Sequence, residues 1–353
     1  MPKFDFDIAY ELHSRLLEPV ATGWKGAQSL IVIPHGRLGQ LPFSVLTTHP
    51  WKAPAARLPY AEMAEAPWLI KEVAISQLPA AIALPALRTQ EKSTRAERPF
   101  IGFGNPLFVA GASSTPASKA TRGIKRRNLL VAAAPLPASS AETGASVNFN
   151  LLPPLPETAQ EIEEIAETLA ADKTRDIFLQ NAASETQVKH ADLSRYRVVM
   201  FATHGLMNGE MPGLYQPALV LANPALNAEN EDGMLTMEEI LNLKLHADWV
   251  VLSACNTAAG GGQSNESLSG LGRAFFYAGA RALLVTHWAV ETESARLLTT
   301  EIFRRQAAQP YLPRAQALQQ SSLALMKQST GKDYSYAHPM FWAPYSLVGD
   351  GDL

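Results

Sequence analysis

Hydrophobic positions along this chain cluster into short unbroken runs, separated by longer stretches with helical periodicity. The runs cover residues 29–33, 99–104, 198–203, 218–221, 249–254, 282–286 and 345–348, with a looser one through Ile70, Val73, Ile75 and Leu78. A run of strand length that is apolar at every position predicts a strand buried on both faces. Between the runs, Ile162, Ile165, Ala166 and Leu169 recur at helical spacing, with Glu157, Glu161 and Glu163 towards the amino-terminal end, where acids favour a helix. Ser184-Glu185-Thr186-Gln187 and Thr236-Met237-Glu238-Glu239 carry the capping-box pattern. Further helices are predicted over 8–22, 80–87 (interrupted by Pro85), 267–277 with Gly279 as a C-cap, 293–306 and 315–326. Strands alternating with helices predict an α/β fold with a mainly parallel sheet. Chemistry in such sheets gathers outside the carboxyl ends of the strands.

One stretch breaks the pattern. From Val109 to Asn150 the chain is dominated by Ala, Ser, Thr, Gly and Pro, with a basic cluster at Lys125, Arg126 and Arg127. It buries too little to offset its ordering entropy and reads as a linker. The expected organisation is an amino-terminal half (1–107), a flexible linker (108–150) and a second half (151–353).

Composition narrows the function. With 47% hydrophobic and 18% charged residues, the chain has ample core material. A net charge of −3 provides no global basic field, so direct nucleic-acid or membrane binding is not expected. No run of transmembrane length and no secretory pattern at Met1-Pro2-Lys3-Phe4-Asp5 is found, which predicts a cytoplasmic protein. A single cysteine excludes an internal disulfide and any zinc site with two Cys ligands; no cofactor or metal is expected, and Glu229, Glu231 and Asp232 read as a solvated loop.

That cysteine lies where chemistry is expected. Trp249-Val250-Val251-Leu252-Ser253-Ala254 runs into Cys255-Asn256-Thr257 and a loop with Gly260, Gly261 and Gly262. Fifty-one positions upstream, the 198–203 run ends in His204-Gly205. A histidine about 50 residues before the cysteine is the caspase spacing of a nucleophile pair; the plainer reading is a buried thiol acting as a small hydrophobe. His287 closes the next strand. His35-Gly36 closes an earlier one and mimics His204.

Taken in order, these segments resemble the CHAT-domain family of caspase-like cysteine proteases, in the clan shared with caspases, gingipains and separase. The resemblance rests on Ile33-Pro34-His35-Gly36 with Leu41-Pro42-Phe43, Gly104-Asn105-Pro106, the helix containing Glu161, Phe201-Ala202-Thr203-His204-Gly205, Leu252-Ser253-Ala254-Cys255-Asn256-Thr257, Gly270-Leu271 through Ala278-Gly279-Ala280, Trp288, His338-Pro339 with Phe341-Trp342, and Gly349-Asp350. It implies a caspase-like three-layer fold, with helices flanking the sheet, an amino-terminal pseudo-protease half and a catalytic half. It also implies cysteine endopeptidase chemistry with a His204–Cys255 dyad, in which His204 is the base, Cys255 the nucleophile, and the backbone N–H groups of Gly205 and Cys255 the oxyanion donors. His35 falls in the non-catalytic half. Trp288, Glu291, Glu293 and His287 are expected to border the substrate. Relatives carry an acid where Thr292 stands here, so a preference for Arg or Lys before the scissile bond would fall to Glu291 or Glu293, unless both are helix-start acids. The expected partners are a protein substrate and a regulatory partner or helical-repeat sensor. Two alternatives stay open: a catalytically silent interaction module of the same fold, and another cysteine acyl-transfer enzyme.

Overall fold

Every second residue of the central strands faces the opposite layer, and both sets are buried. Val198 and Met200 on one strand, Trp249 and Val251 on the next, and Leu284 on a third pack into one core, whereas Val199, Phe201, Val250, Leu252, Leu283 and Val285 pack into another. A sheet apolar on both faces must be covered on both. The computed structural model describes residues 1, 3–89, 96–110, 148–208, 210, 214–253, 270–331 and 333–352. The strands are β1 (Ser29–Val32), β2 (Ala74–Gln77), β3 (Arg98–Pro106), β4 (Ile177–Gln180), β5 (Tyr196–Ala202), β6 (His204–Leu206), β7 (Ala218–Val220), β8 (Met234–Thr236), β9 (Trp249–Leu252), β10 (Ala282–Thr286) and β11 (Tyr345–Gly349). Eight form one sheet in the order β1-β2-β11-β10-β9-β5-β3-β4, and β6-β7-β8 form a small antiparallel sheet. The fold is therefore α/β, with a mainly parallel sheet. The Glu157–Thr168, Thr292–Ala308 and Arg314–Leu325 helices contribute to the first core, and the Gly270–Ala278 helix to the second. The one sheet carries strands from both sides of the 108–150 segment.

Direction matters more than order. β10, β9, β5, β3 and β4 are mutually parallel, as are β1, β2 and β11, and the two blocks meet antiparallel at β10–β11. The carboxyl ends of β1 and of β5 thus lie at opposite edges of the sheet. His35, exposed after β1, is on the far edge from His204, so two sequence-similar strand ends are separated by one reversal.

Elements with strong local signals stand close to where they are expected. Gly279 (φ +113°) ends its helix, with Gly279 N–H donating to Phe276 and Ala280 N–H to Phe275. A Cβ there would lie 2.1 Å from the Leu245 carbonyl oxygen, so backbone conformation and space both require glycine. The first helix stops at Leu16 instead of continuing to 22, because Pro19 turns the chain into a short 3-10 segment. Pro85 does not interrupt its helix. It sits in the first turn of Ala83–Thr89, where its missing N–H has no helical partner to lose. Phe108 and Phe149, at the two ends of the Ala/Ser/Pro-rich segment, are buried with ring centroids 6.3 Å apart, in a satellite core with Leu152, Leu206, Leu214, Ala218, Val220 and Met234. Lys125, Arg126 and Arg127 lie outside the described residues.

Candidate active site

β5 and β9 are parallel neighbours, with Phe201 opposite Leu252, and Ser253 N–H donates to the Phe201 carbonyl at 3.0 Å. His204 follows Phe201 by three residues, and Cys255 follows Leu252 by three in sequence. Cys255, Asn256, Thr257 and the Gly260–Gly262 loop lie outside the described residues.

His204 begins β6, just off the end of β5, and is 1% exposed. Its pairing with Val220 and that of Gly205 with Leu219 fix the backbone. Thr203 Oγ1 donates to the Val220 carbonyl. The imidazole stacks on Phe108, with centroids 5.5 Å apart. Its Nε2 lies 2.8 Å from the Pro153 carbonyl oxygen. A carbonyl only accepts, so Nε2 carries the proton and Nδ1 is the basic nitrogen. The sequence reading does not find Pro153. Its signal is Leu152-Pro153-Pro154-Leu155-Pro156, whose fixed φ angles make a stiff carbonyl-bearing strap.

The expected substrate wall runs from the end of β10 into the first turn of the Thr292–Ala308 helix. His287 N–H donates to the Pro344 carbonyl at 2.9 Å, and its Nε2 lies 2.8 Å from Ser346 Oγ. Trp288 is half-buried, with its indole N–H 3.4 Å from the Met340 carbonyl. Glu291 is 8% exposed and caps the Thr292–Ala308 helix, accepting from Ser294 N–H at 2.7 Å. Glu293 accepts a forked contact from Arg296, at 2.6 and 3.1 Å. Thr292 Oγ1 donates to Glu157 at 3.3 Å. Glu291 and Glu293 thus already have partners, one a cap and one an ion pair. His338, 4% exposed, caps the Pro339–Trp342 turn through Nδ1.

The acidic loop before β8, expected to be solvated, exposes Asp232 and half-buries Glu229 and Glu231, each of the three with a partner. Glu229 accepts from Thr186 Oγ1 at 2.9 Å, and Asp232 from Met234 N–H at 2.8 Å. Glu231 joins Glu185 and Glu239 around the Lys189 ammonium, at 2.7, 2.6 and 2.7 Å. These are the three carboxylates that converge closely enough to suggest a cation site, and the chain's own lysine sits among them. Burial works against the ammonium, but its three carboxylate partners outweigh burial and hold Lys189 charged. Among the described residues, no helix is long and apolar enough to cross a membrane.

The CHAT domain model matches residues 7–350. The chain belongs to the CHAT domain family. Within the mouse protein named Tetratricopeptide repeat protein 28, 120 residues are 30% identical to this CHAT domain, covering 33% of this chain and 4% of the mouse protein. Among solved structures, it is similar to the Arg-specific cysteine proteinase gingipain R (TM-score 0.37, 11% identity, 55% of this chain and 42% of that one). It is also similar to the Saccharomyces cerevisiae separase–securin complex (TM-score 0.47, 12% identity, 98% of this chain and 17% of that one).

One strand-end histidine of the CHAT domain resists protonation. Burial pushes His287 down to about 4. The unfolded chain takes up a proton near 6.5 and the folded one only near 4, so stability is intact above about pH 6.5 and declines as pH falls towards 4. The contribution is on the order of 3 kcal/mol. Burial lowers His13 too, which adds to the same acid limb. The His287→Gln variant should show a shallower loss of denaturant stability between pH 6.5 and 4, by about one proton; an unchanged slope would mean that His287 accepts a proton while folded.

Proposed function

We propose that this chain is a cysteine endopeptidase with His204 as general base and Cys255 as nucleophile. The observation that carries the reading is the His204 imidazole held through Nε2 on the Pro153 carbonyl, at the edge where β5 and β9 end in register. An ordinary thiol, with a pKa of about 8.5, is mostly protonated at neutral pH. His204 Nδ1 takes the Cys255 proton, and the thiolate sulfur bonds to the scissile carbonyl carbon. The backbone N–H groups of Gly205 and Cys255 receive the oxyanion, and glycine at 205 leaves the approach open. As the C–N bond breaks, Nδ1–H protonates the departing amine. Water then attacks the thioester with His204 again as base, releasing the acid and restoring the thiol.

Side-chain choice is read along Trp288–Glu293. A basic residue before the scissile bond must compete with Arg296 for Glu293 or displace the cap held by Glu291. Activity is expected to answer to a partner protein or a helical-repeat module; the matched mouse protein carries a repeat in its name. A peptidyl acyloxymethyl ketone carrying Arg should label Cys255 in the wild type and fail on Cys255→Ala and His204→Ala. Cleavage-site profiling of the same protein tests the Glu291 and Glu293 wall. Neither labelling nor cleavage, even with candidate partners present, would convert the reading to a silent interaction module. Hydrolysis of thioesters but not peptides would convert it to another acyl-transfer enzyme.

A further inference from the structure

Two helices and the exit of β9 meet at one buried carboxylate. Glu161, on the Glu157–Thr168 helix, is 0% exposed. Its Oε1 accepts from Ser253 Oγ at 3.1 Å and from Thr299 Oγ1, on the Thr292–Ala308 helix, at 3.0 Å. Ser253 Oγ also lies 3.3 Å from the hydroxyl of Tyr345 on β11. A serine has one proton, so while Ser253 donates to Glu161, Tyr345 donates to Ser253. The order is Tyr345 to Ser253 to Glu161, with Thr299 on the same oxygen. Ser253, Thr299 and Tyr345 are buried as well, which makes this network costly to leave half satisfied.

Ser253 is the first residue after β9 and stands two positions before Cys255 in sequence. Its backbone is tied to β5 through Phe201 and its side chain to Glu161, so the exit from β9 is fixed from two directions. The same carboxylate joins this exit to the helix capped by Glu291. We infer that Glu161 is a positioning residue, which holds Ser253 and with it the exit from β9 that leads in sequence to Cys255, and so bears on the reactivity of that thiol. The inference rests on the dyad reading above.

Thr299 serves as an internal control. Its hydroxyl also lies 2.9 Å from the Ala295 carbonyl and can turn to it when Glu161 is lost. Cys255 is the only cysteine, so the pH profile of alkylation by iodoacetamide reports the thiol without a substrate. In Glu161→Met, the alkylation rate at pH 7 should fall about tenfold, with the profile shifted up towards an ordinary thiol, and kcat should fall alike with KM unchanged. Glu161→Gln should restore most of both, because the two closer hydroxyl contacts end on one oxygen that an amide carbonyl can replace. Ser253→Ala should follow Glu161→Met, and Thr299→Val should follow the wild type. A merely structural carboxylate would lower thermal stability in all of these and move no alkylation profile. A wild-type profile in Glu161→Met, or equal effects of Ser253→Ala and Thr299→Val, overturns the inference. Should Glu161→Met fail to fold, the serine–threonine pair decides. A His204→Ala profile identical to wild type would instead mark failure of the dyad reading, and the positioning role falls with it.

Discussion

The His204→Gln variant is expected to lose about 10³–10⁴-fold in kcat/KM on any peptide the wild type cleaves. Glutamine can still offer an N–H to the Pro153 carbonyl, but no basic nitrogen then faces the thiol. Formation of the nucleophile is left to solvent, and the leaving amine loses its acid. Residual activity should rise with pH towards the ordinary thiol value, where the wild type has already levelled. The buried ring also stacks on Phe108, so some stability is lost with it. Denaturant melts of the same samples separate that loss from the chemical one, because a variant that is folded at the assay temperature owes its whole deficit to catalysis. A decline of less than tenfold would remove His204 from the role of base.

The second large effect is on stability. Lys189→Met removes the ammonium from among Glu185, Glu231 and Glu239, of which only Glu185 is fully buried, and should cost about 1–3 kcal/mol, the usual penalty for leaving a buried polar group without its partner. Glu185 is the most exposed to this loss in energy, since it is 1% solvent-exposed and its Oε2 also accepts from Gly233 and Met234 N–H. Those two amides open β8, which pairs with β7, which pairs with β6 and His204. The destabilisation should therefore be accompanied by reduced activity. It should also be pH-dependent. Burial already raises Glu185 to about 8 beside the ammonium, and Lys189 helps hold Glu239 down; without the ammonium both rise, so the deficit against wild type should be largest at pH 8 and shrink as they protonate towards pH 5. Lys189→Arg, which keeps the charge, should recover most of the loss. A Lys189→Met melt within about 1 kcal/mol of wild type at pH 7 would show that the cluster contributes little.

Most of the large sheet was legible because its strands are buried on both faces and so appear as unbroken apolar runs. β9, β10 and β11 were found within a residue or two for that reason. β4, β6 and β8 were not. Each is three or four residues long, and β6 (His204-Gly205-Leu206) is a strand only because Val220, Leu219 and Ala218 lie opposite it. The capping boxes behaved similarly: the Thr236–Glu239 box closes reciprocally, as its sequence requires, because both partners lie within one turn. The ion pair of Glu231 in the acidic loop before β8 was not legible, because Lys189 comes from a separate helix more than forty residues away in sequence.

For the proposed site, the sequence determined which residues follow the apolar runs: His204-Gly205, the single cysteine, and the Trp288–Glu293 segment. Those assignments rest on local order, an apolar run followed by a reactive side chain, which is readable one residue at a time. Tertiary structure decided what surrounds them. It sent His35 to the opposite edge by reversing the sheet between β10 and β11, gave His204 its tautomer through a carbonyl fifty-one residues upstream, committed Glu291 to a helix cap, and brought Glu161 beneath Ser253 from a separate helix. A hydrogen bond or a strand direction depends on which distant groups are packed together, and that information is present only once the chain has closed on itself.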